Sequence, residues 1–205
     1  MIKNIYPYTL TVLVVCLITS LTLFDGHFTQ SLTFSRQAID DGAWWRIFTG
    51  QFIHLNFHHT LLNVLGYFLV CTLFRQELNP AKEAFGLVVS LLGVGLGIYY
   101  FSPELDGYYG LSGAINGLLV FALILASQTN KFMPITLAIG LTVKLCHEQF
   151  YPQSDRFIEQ FIGGTVAFDS HLYGAVTGLL LGIGYFCLNK NQQNQLPLDN
   201  KTGKQ

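Results

Sequence analysis

The segment Gly110-Leu111-Ser112-Gly113-Ala114-Ile115-Asn116-Gly117 leads into the apolar run 118–126. It places a serine at the start of a long hydrophobic helix. In a membrane core a lone serine usually hydrogen-bonds to a carbonyl one turn earlier and has no further role. Here Gly110 and Gly113 let another backbone or a substrate approach the hydroxyl. The segment therefore predicts either a helix-packing serine or a reactive one, and other parts of the chain must distinguish them.

The composition indicates a protein that crosses a membrane several times. Of 205 residues, 51% are hydrophobic and 11% charged, whereas soluble domains carry about 25% charged residues. A net charge of −1 gives no basic footprint, so nucleic acid is excluded as a partner. The four cysteines stand singly in or beside apolar runs, without metal spacing. They are interpreted as packing residues, and neither a metal nor a cofactor is predicted.

Six apolar segments are interpreted as spanning helices. They predict an all-α, six-helix membrane domain over residues 1–188, with spans at about 5–24, 52–74, 85–101, 112–127, 132–147 and 171–188. The first connection carries Trp44, Trp45 and Arg46, which suits the headgroup layer. We expect this connection to lie in the outer interface and to pack on the bundle. The polar tail, 189–205, is expected to be disordered in the cytoplasm.

The lysines and arginines predict the orientation of this bundle. Six spans put both termini on one side, and most basic residues fall there: Lys3, Arg75, Lys82, Lys131, Lys190, Lys201 and Lys204, against Arg36, Arg46, Lys144 and Arg156. The positive-inside rule then predicts cytoplasmic termini. Spans two, four and six begin at the outer face. Their first turns bring His59, Ser112 and His171 into one leaflet.

This juxtaposition predicts acyl-transfer chemistry. A serine hydroxyl becomes a nucleophile when a neighbouring base takes its proton, so Ser112 and His171 form a candidate dyad. His59 and Asn63 are four residues apart and share a helical face, so they are candidate donors to an oxyanion. The N-terminus of span four adds the backbone N–H of Ser112.

Small residues explain how the two helices of the dyad can meet. Gly113 and Gly117 of span four are expected to face Gly174 and Gly178 of span six, so that the backbones approach closely. The alternative to a catalytic role for Ser112 and His171 is that they are buried residues that only hydrogen-bond to each other or to their surroundings. The alternative to an oxyanion role for His59 and Asn63 is that they are a polar pair that joins helices.

Two further histidines precede His59. His54 is either a site residue or a structural hydrogen-bonding group. His58 is turned about 100° from His59 and is interpreted as an interfacial residue. A zinc site built from these three histidines is the weaker alternative, because no carboxylate or cysteine stands at metal spacing beside them.

Four motifs in this order resemble the rhomboid intramembrane serine proteases: Trp45-Arg46-x2-Thr49, His54-x4-His59-x3-Asn63, Gly-Leu-Ser112-Gly and His171-x2-Gly174-x3-Gly178. The resemblance extends over all six spans. It implies that Ser112 is the nucleophile, His171 the base, and His59 and Asn63 the oxyanion donors. Candidate supporting residues are His54, Asn116, Gly110 and Gly113.

The sequence segments Gly-Leu-Ser-Gly-Ala-Ile and Ser-His-Leu-Tyr-Gly look most like those of the rhombosortase branch of that family. This resemblance implies cleavage of single-span membrane proteins with a C-terminal GlyGly-type anchor. It also implies a bacterial inner membrane, with the active site open to the periplasm and the lipid bilayer as surroundings. The alternatives are a catalytically inactive rhomboid-like protein that binds transmembrane segments and, less favoured, a six-span carrier of small molecules.

The chain departs from the family pattern at two positions. Many rhomboids have an aromatic residue four after the serine, where this chain has Asn116. An amide one turn below Ser112 is predicted to hydrogen-bond His171 and to fix its tautomer, as an orienting carboxylate does in a soluble triad. Ala43 stands where an acidic residue often precedes the Trp-Arg motif.

Overall fold

Every regular element in the described part of the chain is helical. The computed structural model describes residues 8–24, 26–129, 131–151 and 156–195. The helices are α1 Thr9–Leu23, α2 His27–Leu32, α3 Arg36–Asp40, α4 Arg46–Thr49, α5 Phe57–Leu73, α6 Pro80–Phe101, α7 Ser112–Ala126, α8 Phe132–Phe150, α9 Arg156–Ile162 and α10 Phe168–Gln195, with a 3-10 turn at Gly50–Phe52. Residues 5–7 of the predicted first span and 196–205 of the predicted tail lie outside the described residues.

The predicted all-helical class is confirmed. Among the residues that the structure describes, two helical stretches, α6 and Phe168–Leu188 of α10, are long and apolar enough to cross a membrane. Helices α1, α5 and α7 are shorter apolar helices.

Capping residues move two helix starts away from the predicted boundaries. Helix α5 begins at Phe57 rather than near residue 52, because the Asn56 side chain accepts from the His59 N–H at 2.8 Å. Helix α6 begins at Pro80 rather than at residue 85. Asn79 caps it by accepting from the Lys82 N–H at 3.0 Å, and proline suits the first helical position.

Polar residues also extend two helices beyond the predicted apolar limits. Helix α8 continues through Phe150 instead of ending near 147. Helix α10 begins at Phe168 and continues to Gln195. Residues 189–195, predicted to be disordered, are therefore helical. Glutamine and lysine are good helix formers, so a helix continues past the end of its apolar stretch.

Helix α7 is the centre of the bundle and packs on α5, α6, α8 and α10. A Cβ on Gly174 would overlap the Gly113 carbonyl oxygen, and one on Gly178 would overlap that of Gly117. The prediction that these glycines bring the two backbones together is confirmed. This contact places the first turn of α10 beside the first turn of α7.

The connection before α5 folds against the end of α6. The Arg36 guanidinium donates to the carbonyls of Tyr99 at 2.7 Å, Ser102 at 2.9 Å and Ile98 at 3.1 Å. These carbonyls lie at the C-terminal end of α6, where a helix lacks its own donors. Arg46 donates to the Thr33 carbonyl at 2.9 Å and so closes the connection on itself.

A buried carboxylate joins three helices at the opposite end of the bundle. Glu83 on α6 is fully buried and accepts from Thr11 of α1 and Tyr67 of α5, both at 2.7 Å. The Arg75 guanidinium lies 2.8 Å from its other oxygen. A buried charge persists only when paired and hydrogen-bonded, so this cluster fixes the positions of α1, α5 and α6.

Candidate active site

A left-handed glycine sets the position of Ser112. Gly110 has φ +94°, a conformation in which a side chain is strained, and its N–H donates to the Ile53 carbonyl at 2.8 Å. The chain turns there, and Ser112 becomes the first residue of α7. The first backbone N–H groups of a helix have no intrahelical acceptor. The serine hydroxyl therefore lies beside backbone donors that have no acceptor within the helix.

The structure brings Ser112 and His171 into hydrogen-bond contact. His171 is in the first turn of α10 and is 6% exposed. Its Nε2 lies 2.9 Å from Ser112 Oγ. A hydroxyl that donates to an unprotonated ring nitrogen is the geometry of a serine activated by a base. The Phe168 ring and this imidazole are in a T-shaped arrangement, with 6.2 Å between ring centroids.

The other nitrogen of His171 faces a carboxylate that the sequence analysis missed. Nδ1 lies 3.0 Å from Oε2 of Glu148, which is 6% exposed. Oε1 of Glu148 is 2.8 Å from the Lys144 ammonium one turn earlier. The predicted fifth span ends near residue 147, which places Glu148 in the connection that follows it. The i, i+4 spacing of Lys144 and Glu148 was the available signal that the helix continues.

His59 and Asn63 lie against the turn that leads to Ser112. A Cβ on Gly110 would overlap His59 Nε2 and would be 3.6 Å from Asn63 Nδ2. The Asn63 amide donates one of its two hydrogens to the His59 carbonyl at 2.9 Å. A second N–H of the amide remains for another acceptor. Two side-chain donors thus border the turn that presents the hydroxyl.

A hydroxyl, an imidazole, a carboxylate and several donors therefore meet at one end of the bundle. Residues 41–187 match the Rhomboid domain. The chain belongs to the rhomboid family. The chain is 28% identical to YdcA of Bacillus subtilis (strain 168), a rhomboid protease by name. The 164 aligned residues are 76% of this chain and 73% of that relative.

A second relative is the rhomboid protease GlpG of Yersinia enterocolitica serotype O:8. It is 25% identical over 178 residues, which are 85% of this chain and 61% of the relative. The chain thus spans less than two thirds of that protein. Membership of the rhomboid family makes this chain a membrane protein and a serine intramembrane protease.

Asn116 does not hydrogen-bond to His171 in this rhomboid. Its side-chain amide donates to the Ser112 carbonyl at 2.9 Å, one turn back along the same helix. The predicted hydrogen bond to His171 is therefore not formed, and His171 Nδ1 faces Glu148 instead. The buried amide finds its partner in its own helix, which sequence spacing alone did not distinguish from a contact across helices.

The two histidines before His59 have different surroundings. His54 lies in the extended segment before α5, with Nδ1 3.1 Å from the Phe52 carbonyl. Burial, with a smaller contribution from the neighbouring His59, lowers the pKa of His54 to about 3, so this imidazole is neutral at ordinary pH. His58 packs on the ring of Phe161 from α9, with 4.3 Å between centroids. In the part of the chain that the structure describes, no group of three His, Cys, Asp or Glu residues is placed to hold a metal ion.

Gly113 allows neighbouring groups to pack closely behind the serine. A Cβ at this position would be 2.8 Å from the Ser170 carbonyl oxygen and 3.0 Å from the Tyr108 hydroxyl. Burial raises the pKa of Tyr108 to about 12, so the hydroxyl stays protonated. Any larger residue at Gly113 would push α7 away from α10 and separate Ser112 from His171.

Proposed function

We propose that this rhomboid cleaves transmembrane anchors near the outer membrane face with Ser112 as nucleophile and His171 as base. The single observation that carries the proposal is the 2.9 Å hydrogen bond between Ser112 Oγ and His171 Nε2 in a mostly buried site. This hydrogen bond favours an active protease over an inactive rhomboid-like protein. A protein that only binds transmembrane segments needs neither the serine hydroxyl nor the imidazole.

The proposed reaction has two halves. Ser112 Oγ bonds to the carbonyl carbon of the scissile peptide while its proton moves to His171 Nε2. The C–N bond then breaks, and the same proton passes to the leaving amine. A water molecule next attacks the acyl-enzyme, gives a proton to Nε2 and releases the acid, and Ser112 regains its proton. His59, Asn63 and the backbone N–H of Ser112 donate to the oxyanion in both halves.

We test this function with a fluorophosphonate probe and a single-span reporter in proteoliposomes. An activated serine displaces fluoride from the probe and becomes covalently labelled, whereas an inert serine does not react. We expect the wild-type protein to take the label and to cleave the reporter, with the Ser112→Ala variant as the blank. A wild-type protein that binds the reporter without either reaction supports the inactive alternative.

For the substrate, we propose single-span proteins whose C-terminal anchor carries a GlyGly-type signal, as in the rhombosortase branch. The Gly-Leu-Ser-Gly-Ala-Ile and Ser-His-Leu-Tyr-Gly segments support this narrower function. A reporter with a Gly-Gly pair before its anchor should be cleaved faster than one with Val-Val there. Equal cleavage of both reporters would contradict this specificity and leave the protease function intact.

For the topology, we propose that α1, α5, α6, α7, α8 and α10 span a bacterial inner membrane, with cytoplasmic termini and a periplasmic active site. Asp41 and Gln128 are exposed on opposite sides in this arrangement. In a cysteine-free background, an impermeant thiol reagent should label Asp41→Cys in cells with a permeabilised outer membrane and Gln128→Cys only after lysis. The reverse pattern would invert the topology.

Asn63→Ala is expected to lower kcat more than it raises KM, because an oxyanion donor acts only as charge develops. One such donor is worth about 10²- to 10³-fold in a soluble serine protease. We expect a smaller loss here, since His59 and the Ser112 N–H share the oxyanion. Steady-state cleavage of the reporter gives both constants.

The matched control for Asn63→Ala is Asn79→Ala, which removes a helix cap at the far end of α6. It should lower stability by about 0.5–2 kcal/mol and leave kcat unchanged. If Asn63→Ala raises KM at constant kcat, Asn63 binds substrate or supports the helix and does not serve the oxyanion.

A further inference from the structure

Helix α8 turns one charged residue towards the interior of the protein. Of its 19 residues only Pro134 and Glu148 are buried. Lys144, one turn earlier, keeps 46% of its side chain exposed while its ammonium contacts Glu148 Oε1. An ion pair with Lys144 alone needs no burial of the carboxylate. The second oxygen nevertheless lies 3.0 Å from His171 Nδ1, on the side of the ring opposite Ser112.

We propose that Glu148 is the positioning residue of His171, so that this rhomboid works with a Ser112–His171–Glu148 triad in which Lys144 tunes the carboxylate. This role rests on the proposed protease function. Glu148 touches no reacting atom and acts only through the imidazole.

An ionised carboxylate fixes the tautomer of the histidine. Glu148 can only accept hydrogen bonds, so the 3.0 Å contact requires the proton of a neutral His171 to sit on Nδ1. Nε2 then carries the lone pair that receives the Ser112 hydroxyl at 2.9 Å. The opposite tautomer would place a proton on Nε2 and prevent it from acting as a base.

The same carboxylate stabilises the imidazolium that forms when Ser112 gives up its proton. The transferred proton moves between Ser112 Oγ, Nε2 and the leaving amine, while Nδ1–H stays on His171 and Glu148 remains ionised throughout. The Lys144 ammonium lies 3.4 Å from Nδ1 and opposes this stabilisation. It also holds Glu148 in its charged form.

The charges around His171 give opposite expectations for the two α8 residues. Among the described residues, Ser112 from α7 and Glu148 and Lys144 from α8 face this imidazole, and His59 from α5 is close enough to interact with it electrostatically. Removing the negative charge makes the imidazolium harder to form, so the acidic limb of the kcat/KM profile should move to lower pH. Removing the positive charge should move this limb to higher pH.

The principal experiment compares Glu148→Gln and Lys144→Met as purified proteins in proteoliposomes. For Glu148→Gln we expect kcat to fall about 10²- to 10⁴-fold at nearly constant KM, as for an orienting carboxylate in a soluble triad. Its acidic limb should shift down in pH, and that of Lys144→Met should shift up. The Glu148→Asp variant keeps the charge and should recover part of kcat and the wild-type position of the limb.

Two other carboxylates provide controls. Glu104 is exposed in the connection before α7, so Glu104→Gln should match the wild type in kcat and in pH profile. Glu83 is buried at the other end of the bundle, so Glu83→Gln should lower the melting temperature without moving the limb. Together they separate loss of a nearby charge from loss of stability.

The outcomes distinguish this role from the function on which it rests. If Glu148→Gln keeps the wild-type kcat, or if both α8 variants leave the limb in place, Glu148 is only the partner of Lys144 and the triad is overturned. The protease function then still stands. If Glu148→Gln fails to fold, the pH profiles of Glu148→Asp and Lys144→Met test the triad. An acidic limb that stays in place in Lys144→Met would then overturn it. A wild-type protein that neither cleaves the reporter nor takes the fluorophosphonate overturns both proposals.

Discussion

Ser112→Ala is expected to abolish cleavage of a single-span reporter while the protein stays folded in the membrane. The loss in kcat should be on the order of 10⁶-fold, as when the nucleophile of a soluble serine protease is removed. The change deletes one oxygen and one hydrogen bond to His171, so the free energy of unfolding should fall by only about 1 kcal/mol. Cleavage by purified protein in proteoliposomes and thermal unfolding in detergent measure the two effects.

His171→Ala should cause a comparable loss, and the double variant should be no worse than either single one. The two side chains act as one unit, so their effects on kcat do not add. Ser127→Ala is the matched control, because Ser127 lies at the other end of α7. Its hydroxyl donates to the Ile124 carbonyl at 2.7 Å and accepts from the Gln128 amide at 3.1 Å. Undiminished proteolysis by purified Ser112→Ala would remove Ser112 as the nucleophile.

The contact between α7 and α10 could be predicted from the sequence because its determinants are periodic. Glycines every fourth residue leave one helical face without side chains, and two such faces pack wherever the chain brings them together. The serine and the histidine sit at the starts of those same helices. Their juxtaposition thus followed from helix order and a shared orientation.

Glu148 could not be predicted in the same way, because hydropathy marks where the apolar stretch ends and not where the helix ends. Helix α8 continues past its apolar residues to Phe150 and carries Glu148 back towards His171. The hydrogen-bond partner of Asn116 could not be predicted either. The spacing of Asn116 from Ser112 fits both a contact across helices and a bond within α7, and the structure has the latter.

The contacts that hold the connection before α5 are a third feature that could not be predicted from the sequence. The Trp-Arg motif of this connection marks a membrane interface, but the anchoring of the segment by Arg36 depends on carbonyls more than sixty residues away in the chain. Long-range contacts of one side chain with several backbone groups leave no periodic pattern. The sequence therefore predicts where this connection lies but not which contacts hold it there.

Gly178→Ala is expected to inactivate the protein although Gly178 lies two turns below His171 on α10. The added methyl group would overlap the Gly117 carbonyl oxygen and lie 2.9 Å from its carbonyl carbon, so α7 and α10 must separate. Overpacking of this kind typically costs about 1–3 kcal/mol. A displacement of about 1 Å at a catalytic pair can cost about 10²-fold in rate. We therefore expect kcat to fall about 10²-fold and the melting temperature to drop.

Gly184→Ala on the same helix is the matched control. A Cβ at Gly184 has no heavy atom within 4 Å, so the methyl group fits without displacement. Alanine favours a helix over glycine by up to about 1 kcal/mol, so this variant should be as active as the wild type and slightly more stable. Reporter cleavage and thermal unfolding compare the two variants directly. If Gly178→Ala matches Gly184→Ala in both measurements, close contact of the two backbones is not what holds Ser112 against His171.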